Sequence, residues 1–164
     1  MFRQVELPTG VEGRLYLHSM PGRYEPVEHA ISEVQRLGIA RIVSLAPIKE
    51  IRVKSPTYAT AMEAGSLPCA QVIVPIPDYG VPENPDEFLA SAASVASALR
   101  AGEDTLVHCG AGIGRTGTFG TVVLMCLGLD LDKALARVRR AGSGPETPAQ
   151  RDLLKHLADS IVRG

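Results

Sequence analysis

The 164 residues contain no long apolar run, no basic stretch, no metal-ligand spacing and no internal repeat, and each absence excludes a class of function. The longest apolar run, around Val122 to Leu129, falls far short of the roughly 18 residues a membrane helix needs, so no membrane span is expected. The formal net charge is −1, which argues against nucleic acid or an anionic membrane surface as a partner. Cysteine is scarce: Cys69, Cys109 and Cys126 form an odd set without ligand spacing. That suits a reducing compartment and a working thiol better than a disulfide framework or a metal site. His18, His29 and His156 show no ligand spacing either. Met1–Glu6 lacks an apolar signal core, and the expected location is cytoplasmic. With 45% apolar residues and no linker, the chain reads as one domain over residues 1–164.

What is present is an alternation of strand and helix patterns. Gly13–His18, Ile39–Leu45, Ala70–Ile76 and Asp104–Val107 read as strands. Helical spacing runs over Pro26–Leu37, Tyr58–Ala64, Phe88–Leu99, Thr118–Leu127, Leu131–Arg140 and from Pro148 onward. Asn84 before Pro85 and Thr147 before Pro148 are capping residues with proline in the first helical position. Pro47–Pro56, with Lys49, Glu50, Arg52 and Lys54, reads as a loop, ordinarily a solvated one, with a contact to substrate as the alternative. The expected class is α/β, with a mainly parallel central sheet flanked by helices. Ligands in such sheets sit at the carboxyl ends of strands.

The stretch Val107-His108-Cys109-Gly110-Ala111-Gly112-Ile113-Gly114-Arg115-Thr116-Gly117 stands at one such end. Its glycines let successive N–H groups converge on one centre, and the following helix adds its positive end. Arg115 supplies a fork that matches two oxygens of a phosphate. A cysteine in surroundings that bind an anion is also favoured as its thiolate, which makes Cys109 a nucleophile facing a bound phosphate. Gly112-x-Gly114-x-x-Gly117 also satisfies a dinucleotide fingerprint, but no strand ending in an acid follows about 20 residues on. A nucleoside-triphosphate loop needs Lys where Thr118 stands.

The string His108-Cys109-x5-Arg115-Thr116 resembles the signature of the cysteine-dependent protein tyrosine phosphatases, and its Gly-rich spelling resembles the small dual-specificity branch most. The resemblance implies a phosphomonoester hydrolase acting on phosphotyrosine, phosphoserine and phosphothreonine in proteins through a phosphocysteine intermediate. Gly110, Ala111, Gly112, Ile113, Gly114 and Arg115 would bind the phosphoryl group, without metal or organic cofactor. The leaving oxygen needs a proton, and Asp78 is placed for it twice over. It ends the strand before the helix leading back to Cys109, and Pro77-Asp78-Tyr79-Gly80-Val81-Pro82 resembles the family's general-acid loop. A plain turn role before glycine is the alternative, with Glu83 and Asp86 as other acids.

The same resemblance makes Thr116 a hydroxyl near the sulfur and His108 a structural hydrogen-bonder. It also makes Gln150, in Pro145-Glu146-Thr147-Pro148-Ala149-Gln150, the holder of the hydrolytic water; an exposed amide in a first helical turn is the alternative. Tyr79 and Ile113 would line the mouth, and Cys69 and Cys126 read as core. No phosphotyrosine-clamping segment is evident near the N-terminus. A small phosphorylated metabolite, inositol phosphate or lipid is the alternative substrate, although Ala111 and Ile113 add no cations. A non-catalytic phosphate-binding module is the alternative outside enzymes.

Overall fold

Alternation of apolar side chains along short strands gives the sheet two buried faces. In the computed structural model, which describes residues 1–164, five strands form: β1 (Arg3–Val5), β2 (Leu15–His18), β3 (Arg41–Ser44), β4 (Ala70–Ile73) and β5 (Thr105–His108). Their order is β1-β2-β5-β3-β4. The β2–β5, β3–β5 and β3–β4 pairings are parallel, and β1 alone runs antiparallel, on β2. Leu15, Leu17, Val43 and Val107 face one core, and Tyr16, Ile42 and Leu106 face another.

The first core is covered by α4 (Pro85–Arg100), α5 (Gly114–Cys126), α6 (Leu131–Arg140) and α7 (Pro148–Arg163). The second is covered by α1 (Val27–Leu37), which Gly38 ends in a left-handed conformation. Residues 114–125 of α5 are all buried, and Phe119 meets Phe88 edge to face with centroids 5.4 Å apart. Each fully buried side chain of this size contributes about 1.5–3 kcal/mol. Asn84 Oδ1 accepts from the N–H groups of Asp86 and Glu87, and Thr147 Oγ1 from that of Gln150. No helix is long and apolar enough to cross a membrane.

Three elements differ from the sequence reading. β1 was not foreseen; its three residues are strand only through pairing with Leu15–Leu17. Helix α5 begins at Gly114 rather than Thr118, because the second half of the glycine-rich loop is already its first turn. There Gly117 presses on the backbone of Gly144, leaving no room for a side chain. The stretch read as a loop over Pro47–Pro56 instead holds α2 (Ile48–Lys54) and leads directly into α3 (Pro56–Glu63). One buried residue, Ile51, anchors α2, and a Glu50–Lys54 pair at 3.0 Å runs along its surface. That stripe is too thin for apolar periodicity to reveal.

Candidate active site

β5 is flanked by β2 and β3 and delivers Cys109 at its carboxyl end, where the chain turns through glycines into α5. Cys109 is buried, and the Gly112 N–H donates to its Sγ at 3.3 Å. Gly112 has φ +78°, and a Cβ there would run into the carbonyl of His18, so only glycine fits.

Arg115, on the first turn of α5, is 3% exposed, and both of its terminal nitrogens are engaged. Its Nη1 donates to Glu50 Oε1 at 2.9 Å and to the Ile76 carbonyl at 2.8 Å. Its Nη2 donates to Glu50 Oε2 at 2.7 Å and to Asp78 Oδ1 at 3.1 Å. Lys54 Nζ bridges the same two acids, 3.0 Å from Glu50 Oε2 and 3.2 Å from Asp78 Oδ2. This network sets the local charge states. Burial works upward on Glu50 and Asp78, but their bonds to Arg115 and Lys54 outweigh it and hold both carboxyls below the usual range. Burial works downward on Arg115 and is outweighed by Glu50, by the charge at Cys109 and by Asp78, which raises it.

Cys109, Ala111, Gly114, Arg115, Asp78 and Tyr79 line one cavity of about 200 Å³. Tyr79 stands exposed with φ 59°, the one non-glycine residue at positive φ, next to a tight turn in which Gly80 N–H donates to the Pro77 carbonyl. A larger cleft of about 410 Å³ lies beside Phe88, Pro75 and Pro82, and neither a cysteine nor a cationic side chain lines it. Cys109, Arg115 and Asp78 thus share the smaller, polar cavity.

Other expected residues fall outside it. Ile113 is exposed and not part of the wall. Thr116 is buried behind the loop, with its hydroxyl lacking any hydrogen-bond partner. Gln150 is buried rather than an exposed amide: its Oε1 accepts from Glu146 N–H at 2.8 Å and its Nε2 donates to the Gly80 carbonyl at 3.1 Å. It thus ties α7 to the loop that carries Asp78.

Five further residues join the site that the sequence does not single out as site residues. Glu50 and Lys54 lie in the stretch that reads as a loop, solvated or touching substrate, and α2 turns them into the site; their i,i+4 spacing is the available signal. Arg23 and Tyr24 reach the wall from the turn after β2, with Arg23 over the Tyr24 ring at 4.8 Å. Glu146 lies against Gly114. Nothing local in the sequence marks these last three.

His108 is fully buried between Tyr58 and its own chain: Nε2 is 2.9 Å from Tyr58 Oη, and Nδ1 3.0 Å from the Cys109 carbonyl. Burial pushes its pKa down to about 4 from 6.5, and the bond to the Cys109 carbonyl only partly opposes this. The unfolded chain therefore takes up a proton between pH 6.5 and 4 that the folded chain refuses, and stability falls as pH falls through that window. The full loss is about 3 kcal/mol. Urea midpoints from pH 7 to 4 should show this slope, and His108→Asn should flatten it. The lowered Glu50 carboxyl acts only below its ordinary value of 4.5, outside most of the window.

Residues 11–159 match the family described as PTP-SAK, Swiss Army Knife protein, DSP-PTPase phosphatase domain. Tyrosine-protein phosphatase non-receptor type 2 of Homo sapiens is 39% identical over 98 residues, 54% of this chain. The match covers 23% of that relative's length. Kinase-associated phosphatase (KAP), solved with a serine in place of its catalytic-site cysteine, superposes with a TM-score of 0.83 at 19% identity, over 100% of this chain and 97% of that one. Tk-PTP in its active form gives 0.73 at 30% identity, over 91% and 94%. PTPMT1 in complex with PI(5)P gives 0.73 at 18% identity, over 91% and 92%.

Proposed function

The chain belongs to the DSP-PTPase phosphatase domain family, and from that premise we propose that residues 1–164 are a catalytic domain that dephosphorylates phosphotyrosine, and phosphoserine or phosphothreonine, in cytoplasmic proteins. The observation that carries this reading is the convergence of Cys109, Arg115 and Asp78 on one cavity. The Cys109 thiolate attacks phosphorus as the ester P–O bond breaks, and Asp78 gives its proton to the departing oxygen. Water, deprotonated by the same carboxylate, then breaks the S–P bond and releases inorganic phosphate and the thiolate. Arg115 and the N–H groups of the loop stabilise the charge on the phosphoryl oxygens.

Two features of the network support this sequence of events. Asp78 is held ionised by Lys54 and Arg115. An incoming phosphate dianion competes for those cations and lies beside the carboxylate, and both effects favour its protonated form. Glu50 fixes the Arg115 guanidinium through both of its terminal nitrogens, so the fork is oriented before substrate arrives. Gln150 contributes by bracing the Asp78 loop through the Gly80 carbonyl, and the unpartnered Thr116 hydroxyl is available to the sulfur leaving group.

A second reading, a phosphorylated metabolite, inositol phosphate or lipid substrate, draws support from Arg23 and Lys54. The loop's own Ala111 and Ile113 add no cations, but these two residues bring positive charge to the wall from elsewhere. The structural likeness to PTPMT1 solved with PI(5)P points the same way. Metal-free phosphate release from p-nitrophenyl phosphate, from phosphotyrosine, phosphoserine and phosphothreonine peptides, and from inositol phosphates separates them. Peptide turnover well above inositol phosphate turnover is the expected result. The reverse ranking selects the second reading, and binding without turnover on any substrate selects a phosphate-binding module.

A further inference from the structure

The peptide joining Gly112 to Ile113 is held from outside the cavity by side chains distant in sequence. The Gly112 carbonyl accepts from Arg3 Nη2 at 2.6 Å and from Ser143 Oγ at 2.6 Å. Arg3 is itself fixed, with Nη1 donating to the Ala141 carbonyl at 2.7 Å and to Ser143 Oγ at 2.9 Å. Ser143 is 3% exposed, on the turn between α6 and α7. Gly142, at φ +89°, leaves the space the guanidinium crosses: a Cβ there would stand 2.8 Å from Arg3 Nη1. The adjoining Ile113 carbonyl accepts from Gly144 N–H at 3.1 Å, so the same turn grips the loop twice.

A trans peptide is planar, with its C=O and N–H pointing in opposite directions. Drawing the Gly112 carbonyl outward therefore turns the Ile113 N–H toward the inside of the loop, where the Gly112 N–H already points at Cys109 Sγ. Glycine leaves this peptide plane free to rotate, because no Cβ opposes the alternative. Its orientation is left to the hydrogen bonds it makes, one of them charge-assisted. The Arg3 cation is also close enough to sense the charge at Cys109.

We propose that Arg3 and Ser143 are positioning residues of the reaction, which orient the Gly112–Ile113 peptide so that the Ile113 N–H faces the phosphoryl oxygens. The proposal rests on the phosphatase reading above. Neither side chain touches substrate; both act through the loop. A donor aimed where charge develops counts most in the transition state, so its loss should lower kcat more than it raises KM.

Arg3→Met keeps the apolar stem and leaves the backbone pairing of β1 intact. With p-nitrophenyl phosphate it should lower kcat by roughly 10- to 100-fold, somewhat less than deleting an oxyanion donor outright, with KM changed by less than about 3-fold. Arg3→Lys should recover part of kcat, and Ser143→Ala should show the same split at smaller amplitude. Inhibition by inorganic vanadate should weaken by about the factor lost in kcat/KM. Wild-type kcat and vanadate inhibition in both Arg3→Met and Ser143→Ala would overturn the proposal, as would parallel losses of kcat and thermal stability that Arg3→Lys does not relieve. Calorimetric binding of inorganic phosphate needs no turnover. If the wild type hydrolyses nothing, the phosphatase reading fails, while weaker phosphate binding by Arg3→Met still upholds the clamp and unchanged binding overturns it.

Discussion

Cys109→Ser is expected to lower kcat on p-nitrophenyl phosphate by roughly 10⁴-fold or more, while phosphate binding persists. The sulfur is buried at the floor of the cavity with the Gly112 N–H aimed at it. A serine hydroxyl is far less acidic than a thiol, so it stays protonated there and is a much weaker nucleophile. His108, the neighbour in sequence, is turned into the core, with one ring nitrogen against Tyr58 Oη and the other against the Cys109 carbonyl, and burial holds it neutral. In the proposed reading the phosphate is held by backbone N–H groups and Arg115, none of which the substitution touches. The variant should therefore bind inorganic phosphate as the wild type does, and activity and binding should separate cleanly.

Asp78→Asn is expected to cost roughly 10²- to 10³-fold in kcat on phosphotyrosine peptides, within the usual range for a general acid. The loss should shrink on esters with good leaving groups, whose departing oxygen needs the proton less. The acid must carry a proton to act, and kcat/KM reports its ionisation in the free enzyme, where Lys54 and Arg115 hold the carboxyl low. Wild-type kcat/KM on phosphotyrosine should thus fall as pH rises through that depressed value, and the Asn variant should lack this limb. KM should not rise, since removing a carboxylate from beside Arg115 leaves more positive charge for the dianion. A uniform loss on all esters, with the limb retained, would assign the proton to another group.

The parts of the fold that the sequence showed are those governed by local rules. β5, the glycine turn and the buried helix after it follow from apolar runs and backbone freedom, and Asn84 and Thr147 cap as their chemistry requires. Cys109, Arg115 and Asp78 could be placed together because parallel strands present their carboxyl ends on one rim. What escaped depends on tertiary contact. Glu50 and Lys54 look like surface charges until α2 packs by Ile51 and swings them over Arg115. β1 is strand only by pairing, and Arg3 gains its partners from segments more than 100 residues away. Gln150 had a place in the reading, but its burial against Gly80 could not be read from an amide in a first helical turn.

The most direct test of the central claim is to quench the wild-type protein in acid during turnover of a phosphotyrosine peptide and locate the phosphoryl group by mass spectrometry. The account predicts one phosphoryl group on Cys109, absent in Cys109→Ser. Turnover with no phosphorylated protein at any quench time, or with the group on another residue, would contradict it.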